Sequence, residues 1–261
     1  MRKYIIILLF GLFFVSACQA APGSLPVSAG KSGEDAALKE ILIPAGSFTM
    51  GSEYGFPDEQ PVHEVTLGAF YIDSFEVTNS RYAECVTAGA CKAPAGPDSV
   101  THTGYYVKAE YGNFPVIAVS WDQADTYCKW RGARLPSEAE WERAARGAKP
   151  QSYPWGEGID QSRANYNSFV GDTSAVGSYE SGKSNEGVYD LAGNVSEWVA
   201  DWYDVYPGGD SASGSGFGKI YRVIRGGSWQ DLADSASTTS RSWDNVGFAS
   251  YNVGFRCART P

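Results

Sequence analysis

The 261-residue sequence predicts an α+β fold of short strands joined by much irregular backbone. Three observations predict it. Thirty glycines, thirteen prolines and eight tryptophans favour a loop-rich, aromatic-packed domain over a helical bundle. Three segments carry clear helix start and stop signals. The apolar runs around them are short, as strands are. No internal repeat, sustained heptad pattern or apolar run of membrane-spanning length beyond the N terminus competes with this reading.

Strands are expected at 42–44, 47–50, 63–67 and 70–72. A first helix is expected over 78–88, with Thr78 or Asn79 as its N-cap and Gly89 just past its end. A second opens at Ser120-Trp121-Asp122-Gln123, a capping box in which Ser120 and Gln123 satisfy each other's backbone donors, and closes at Gly132. The third opens at Ser137-Glu138-Ala139-Glu140, the same device directly after Pro136, and stops at Gly147. Trp141, Ala144 and Ala145 share one face there at i, i+3 and i+4, so that face should be buried. Two further strands are expected at 220–224 and 254–258.

The N terminus reads as an address. Arg2 and Lys3 precede an apolar stretch over 4–15, too short to span a bilayer as a stable helix. Val15-Ser16-Ala17-Cys18 then fits a bacterial lipobox. Residues 1–17 are therefore expected to be a lipoprotein signal peptide, with the Cys18 thiol carrying a diacylglyceryl group. Two or three acyl chains anchor stably where one does not. Gln19, in place of Asp, favours the outer membrane. The expectation is an exported protein, lipid-anchored to the cell envelope. Residues 18–40 are small and polar and suit a flexible tether, which leaves 41–261 as the folded domain. The formal charge is −9, and losing Arg2 and Lys3 would make the mature chain more acidic still. With no basic cluster, nucleic acid is not an expected partner.

Five cysteines in an exported chain suggest one lipidated residue and two disulfides. Cys85, near the end of the first helix, and Cys91, beyond Gly89, would staple that helix to its loop. Their separation would also suit a two-thiolate copper(I) site, although no third soft ligand is in view. Cys128 is then left with Cys257. His63 and His102 are the only histidines, and nothing in the sequence joins them as an iron site. Ser228 has no histidine placed to act as its base, so Gly226-Gly227-Ser228 reads as a backbone turn. The glycosylation sequon Asn194-Val195-Ser196 reads as coincidence.

Several separated blocks then occur in a fixed order. They include Pro44-Ala45-Gly46-Ser47-Phe48-Thr49-Met50-Gly51, Phe75-Glu76-Val77-Thr78-Asn79 and Arg134-Leu135-Pro136-Ser137-Glu138-Ala139-Glu140-Trp141. Later come Gly193-Asn194-Val195-Ser196-Glu197-Trp198, Arg225-Gly226-Gly227-Ser228-Trp229 and Gly254-Phe255-Arg256-Cys257. Over residues 41–259 the chain resembles the formylglycine-generating enzyme, or sulfatase-modifying factor, family. The resemblance implies that family's variant of the C-type-lectin-like fold, structural calcium, and a Cys128–Cys257 bridge. It assigns one calcium site to the side chains of Asp190 and Glu197 with the carbonyls of Gly193 and Val195. Two carboxylates and intervening carbonyls in one tight loop are apt ligands for that hard cation. A second site would use Asn165 and the Tyr166 carbonyl, with Asp172 as the best remaining carboxylate.

One departure bears on function. Catalytic members of the family place a copper-binding cysteine pair just after the Gly-Gly-Ser turn. Here Gln230-Asp231-Leu232-Ala233-Asp234-Ser235-Ala236 holds no thiol. No catalytic residue is therefore assigned, and copper is not expected, because aspartate cannot replace a soft sulfur donor for copper(I). Asp231, Asp234, Arg241 and Trp243 gather where the family's active-site groove would lie. The expected function is a calcium-supported binding or structural module of the envelope, with a protein, peptide or glycan ligand. The alternative is an exported enzyme of the same family, of formylglycine-generating or siderophore-maturation type, with a different active site.

Overall fold

A computed structural model of the chain describes residues 39–210 and 216–261. The expected signal peptide, the Cys18 lipidation site and the tether up to residue 38 lie outside the described residues.

Four strands come first: β1 (Glu40–Ile43), β2 (Gly46–Met50), β3 (His63–Leu67) and β4 (Phe70–Asp73). β2 and β3 pair antiparallel, with Gly46 opposite Leu67 and Met50 opposite His63. Phe48 and Met50 point inward while Ser47 and Thr49 stay exposed, the period of two that a one-sided sheet demands. β1 pairs antiparallel with β4, Ile43 opposite Phe70.

The helices are α1 (Asn79–Thr87), α2 (Trp121–Trp130) and α3 (Glu138–Arg146). The Thr78 hydroxyl caps α1 by accepting from the Arg81 amide. Complete capping boxes open α2 and α3, at Ser120/Gln123 and Ser137/Glu140. Gly89, Gly132 and Gly147 follow the three ends with positive φ, where a side chain would be strained. Trp141, Ala144 and Ala145 are fully buried, as expected. The opposite face of α3 is buried as well, carrying Glu138, Glu142, Arg143 and Arg146. Amphipathic reasoning misses this because it assumes charges face water, whereas these meet opposite charges: Glu142 meets Arg146, Glu138 meets Arg241 and Arg143 meets Glu186.

Besides the β2-β3 pair and the sheet built on β1 and β4, a four-stranded sheet runs β7-β6-β5-β8, from β5 (Ser196–Trp202), β6 (Arg222–Arg225), β7 (Arg241–Asp244) and β8 (Val253–Phe255). β5 and β8 are parallel; the other pairs are antiparallel. β5 and β7 went unread in the sequence, since neither Ser-Glu-Trp-Val-Ala-Asp-Trp nor Arg-Ser-Trp-Asp alternates cleanly. The strand expected at 220–224 pairs from Arg222 instead, after a left-handed Lys219 closes the preceding turn. The strand expected at 254–258 is divided. After Phe255 the chain leaves β5, and β9 (Ala258–Arg259) joins β4 in the sheet with β1.

Cys85–Cys91 and Cys128–Cys257 are both disulfides, with Cα separations of 5.3 and 5.6 Å. Neither Cys85 nor Cys91 is therefore a thiolate open to copper. The second bridge ties α2 to the point where the chain changes sheets. Closing 129 residues of sequence contributes about 4–5 kcal/mol in the chain-entropy model. Tyr82, Tyr127 and Phe255 pack around these bridges, with ring centroids 5.5 Å apart for both Tyr82–Tyr127 and Tyr127–Phe255.

Candidate functional site

The Gly-Gly-Ser turn follows β6 directly. Gly226 and Gly227 have φ of 89° and 63°. A Cβ on Gly226 would stand 3.0 Å from the Trp141 ring, and one on Gly227 2.7 Å from the Ser235 carbonyl. Glycine is thus required twice over, by conformation and by space. Ser228 is fully buried, and its amide and hydroxyl both donate to Asp231 Oδ2, at 2.8 and 2.6 Å. Asn252 Nδ2 in turn donates to the Ser228 hydroxyl. Asp231 therefore closes this turn as a polar clasp. Ala236, at the end of the thiol-free segment, is buried beside Tyr153 and Ala192.

A hollow of about 550 Å³ opens beside the turn, lined in part by Asp58, Tyr203, Asp231, Arg241, Trp243 and Asp244. Asp231, Arg241 and Trp243 are thus brought together as the sequence suggested. Asp234 is not. It lines a separate hollow, because the short turn at Ala233–Ala236 directs it away. Arg241 is also less available than its sequence position implied. Its Nε and Nη2 donate to the two Glu138 oxygens at 2.7 and 2.9 Å, and its remaining donors meet the Asp58 and Asp204 carbonyls. It is a structural cation at the base of the hollow. Trp243 stands in the wall with its ring 4.3 Å from Tyr221.

Beneath the hollow lies a buried ionic group. Arg225 donates to Glu142 Oε2 at 2.6 Å and to the Thr238 and Thr239 carbonyls. Arg146 and the Gly51 amide take Glu142 Oε1, both at 2.8 Å. Burial alone would push the Glu138 carboxyl up, but Arg241 and Arg225 hold it below its ordinary value. Each carboxylate here meets a guanidinium.

The segments expected to hold calcium lie against each other. Asp190 and Asn194 adopt left-handed conformations at φ 57° and 60°, and a Cβ on Gly193 would stand 2.2 Å from the Asn165 carbonyl. The Asn194 amide donates to that carbonyl at 2.8 Å. Asp190 Oδ2 accepts from the Gly177 amide, and burial raises its carboxyl. Both Glu197 oxygens are engaged by Arg256, at 2.6 and 2.7 Å, and Oε2 also by the Trp141 indole. Val195 is fully buried, packed with Tyr105 and Ile117. In the second set, Asn165 Oδ1 is buried without a hydrogen-bond partner, while the Tyr166 carbonyl accepts from Phe169. Asp172 Oδ2 accepts from Ser99 and twice from Thr101. Burial pushes this carboxyl up, but those hydrogen bonds outweigh it and hold it below its ordinary value.

One residue of this site had not been singled out. Glu76 is buried, accepts from Asn194 at Oε1, and has no donor at Oε2. Burial and the neighbouring Asp190 carboxyl push it well above its ordinary value. The sequence signal was weak, a glutamate inside an otherwise helix-capping block. Among the described residues, no three His, Cys, Asp or Glu side chains converge as a metal cluster. His63 packs on Tyr206 and His102 stacks on Tyr111, in different aromatic groups. Asn194 is buried, which closes the sequon.

Residues 28–261 match the family model described as the sulfatase-modifying factor enzyme 1-like domain. Serine/threonine-protein kinase Pkn1 of Chlamydia trachomatis serovar L2 is 40% identical over 245 residues, 84% of this chain but 38% of that protein. The chain thus spans well under half of that relative's length. The inactive C-alpha-formylglycine-generating enzyme 2 of Bos taurus is 34% identical over 289 residues, 87% of this chain and 89% of that protein. The solved structure of PvdO from Pseudomonas aeruginosa has a TM-score of 0.69 at 31% identity, covering 87% of this chain and 96% of that one. The α+β architecture is the C-type-lectin-like fold of this group.

Proposed function

The chain belongs to the sulfatase-modifying factor family, and we propose that it is a ligand-binding member without cysteine-oxidising activity. One observation carries this reading. Where catalytic relatives hold copper(I) between two thiolates, Asp231 is spent on clasping Ser228 and Ala236 is buried. A carboxylate already bonded to a serine is a poor ligand for a soft ion. The adjoining hollow offers Trp243, Tyr203 and the carboxylates of Asp58 and Asp244, groups that suit a peptide, protein or glycan ligand. The name of the bovine relative is consistent with a family in which oxidation can be lost.

Calcium would stabilise this module. In its favour, Glu76, Asp190 and Glu197 are three buried carboxylates against the single guanidinium of Arg256, and Glu76 Oε2 lacks a donor. A hard cation would supply the missing charge, held by Asp190 with the backbone carbonyls of Gly193 and Val195, and by Glu197 only through the lone pairs that Arg256 and the Trp141 indole leave open. The second set fits less well, because Asp172 is already committed to Ser99 and Thr101. The N-terminal lipobox supports an envelope location, with Cys18 as the membrane anchor. The shared family scaffold supports a second reading, an exported enzyme of the same family with a different active site.

The test is direct. Purified protein, copper and oxygen are incubated with a Cys-x-Pro-x-Arg peptide, and the peptide is followed by mass spectrometry. The peptide is expected to remain unconverted. Copper-dependent aldehyde formation would overturn the proposal.

A further inference from the structure

The larger hollow of the domain, about 860 Å³, lies on the other side of the Phe56 loop and is independent of the function proposed above. Its wall carries four carboxylates: Glu53, Glu59, Glu157 and Asp234. Arg146 is the single basic residue in it, and that charge is committed to Glu142 and the Gly51 carbonyl. Glu157 is held by Ser152. Glu59 is only 2% exposed, and its one side-chain donor is the Thr239 hydroxyl at 2.6 Å from Oε2. No described Lys or Arg forms a salt bridge with it, and burial holds its carboxyl above the ordinary value. Gly55 is pressed against this group, since a Cβ there would stand 2.0 Å from Glu59 Oε2. The loop is shaped around a buried acid with no salt-bridge partner among the described residues, only the more distant charge of Arg225.

Aromatic rings complete the wall. Tyr153 is buried, with its hydroxyl donating to the Ala233 carbonyl. Tyr54 is 95% exposed and Phe56 56% exposed, on the loop that borders the hollow. Exposed aromatics at a cavity mark an interaction surface, and their ring faces attract cations. A small, strongly hydrated inorganic cation gains less from them than an alkyl cation does. An alkyl cation gains from both the rings and the acids.

We propose that this hollow binds an organic cation, an ammonium or guanidinium group on an apolar stem. Glu59 and Asp234 supply the opposing charge, and Tyr54, Phe56 and Tyr153 flank the stem. A free polyamine and a lysine side chain of a basic peptide present the same chemistry. Calorimetric titration of the full chain with spermidine, with an oligolysine peptide and with magnesium distinguishes them. Saturable binding of spermidine or of the peptide is expected, with magnesium a weak competitor; whichever binds tighter names the source. Asp234→Asn with Tyr54→Ala should weaken it at least tenfold, while Glu110→Gln, a surface carboxylate elsewhere, should not. Both residues of the double variant are exposed, so its melting temperature should stay unchanged. Glu59→Gln should weaken binding further. Absence of saturable binding by both organic probes would overturn the proposal. So would an undiminished affinity in the double variant, or displacement by magnesium at equal concentration.

Discussion

The charges around α3 and those around the Asp190–Glu197 loop are buried to similar depth, and Trp141 touches both groups. They are balanced differently. Around α3, Glu138 and Glu142 are met by Arg225, Arg241 and Arg146. Around the loop, Glu76, Asp190 and Glu197 share Arg256. A buried charge is tolerated when paired and expensive when not. The first group is therefore complete as architecture, while the second carries an excess that a bound cation would relieve.

The largest expected effects come from removing one guanidinium from each group. Arg225→Met and Arg256→Met should each cost about 3–5 kcal/mol, since each leaves buried carboxylates unpaired. Urea denaturation with and without calcium separates them. Calcium should restore part of the loss only in Arg256→Met; equal losses in both conditions would erase the distinction.

A smaller effect is expected in the native protein. Calcium at a hundred times its dissociation constant should add about 2.7 kcal/mol of stability. Thermal melts in excess chelator should fall by several degrees. An unmoved melting temperature would leave the carboxylate excess to protons alone.

The smallest effect concerns an exception inside the balanced group. Asp201 accepts from the Glu138 amide but has no cation of its own, and burial raises its carboxyl to about 6. The folded state thus holds this proton more tightly than the unfolded state does. Its contribution is fully present below the unfolded value near 4 and is lost as pH rises through about 6. Asp201→Asn keeps the acceptor and removes the titration. It should stabilise the protein at pH 8 by about 2–3 kcal/mol and leave it unchanged at pH 3. Parallel unfolding curves at both pH values for variant and parent would refute this.

Much of this molecule was legible before its fold was seen. Capping boxes at Ser120 and Ser137 fixed two helix starts because the signal is local and stereochemical. The bridges followed from the arithmetic of five cysteines and the family pattern. What escaped was non-local. β5 is a strand because β6 and β8 flank it, and β7 because β6 supplies its partner, not because their residues alternate. Arg241 looked like a ligand contact until Glu138, 103 residues away in sequence, was seen to hold it. Asp234 and Asp231 are neighbours in sequence but line different hollows. Glu76 joins its site through Asn194, 118 residues on, and through the neighbouring Asp190 carboxyl. In each case a distant partner set the role.

The substitution of the thiol pair remains the point from which function follows, and copper(I) titration tests it most directly. The protein would be titrated anaerobically without thiol reductant, with both bridges intact, Cys18 blocked, and a chromogenic chelator as competitor. The native chain should take up no stoichiometric copper, whereas the Asp231→Cys, Ala236→Cys double variant should bind one equivalent. One equivalent withdrawn by the native chain would contradict the binding-module reading.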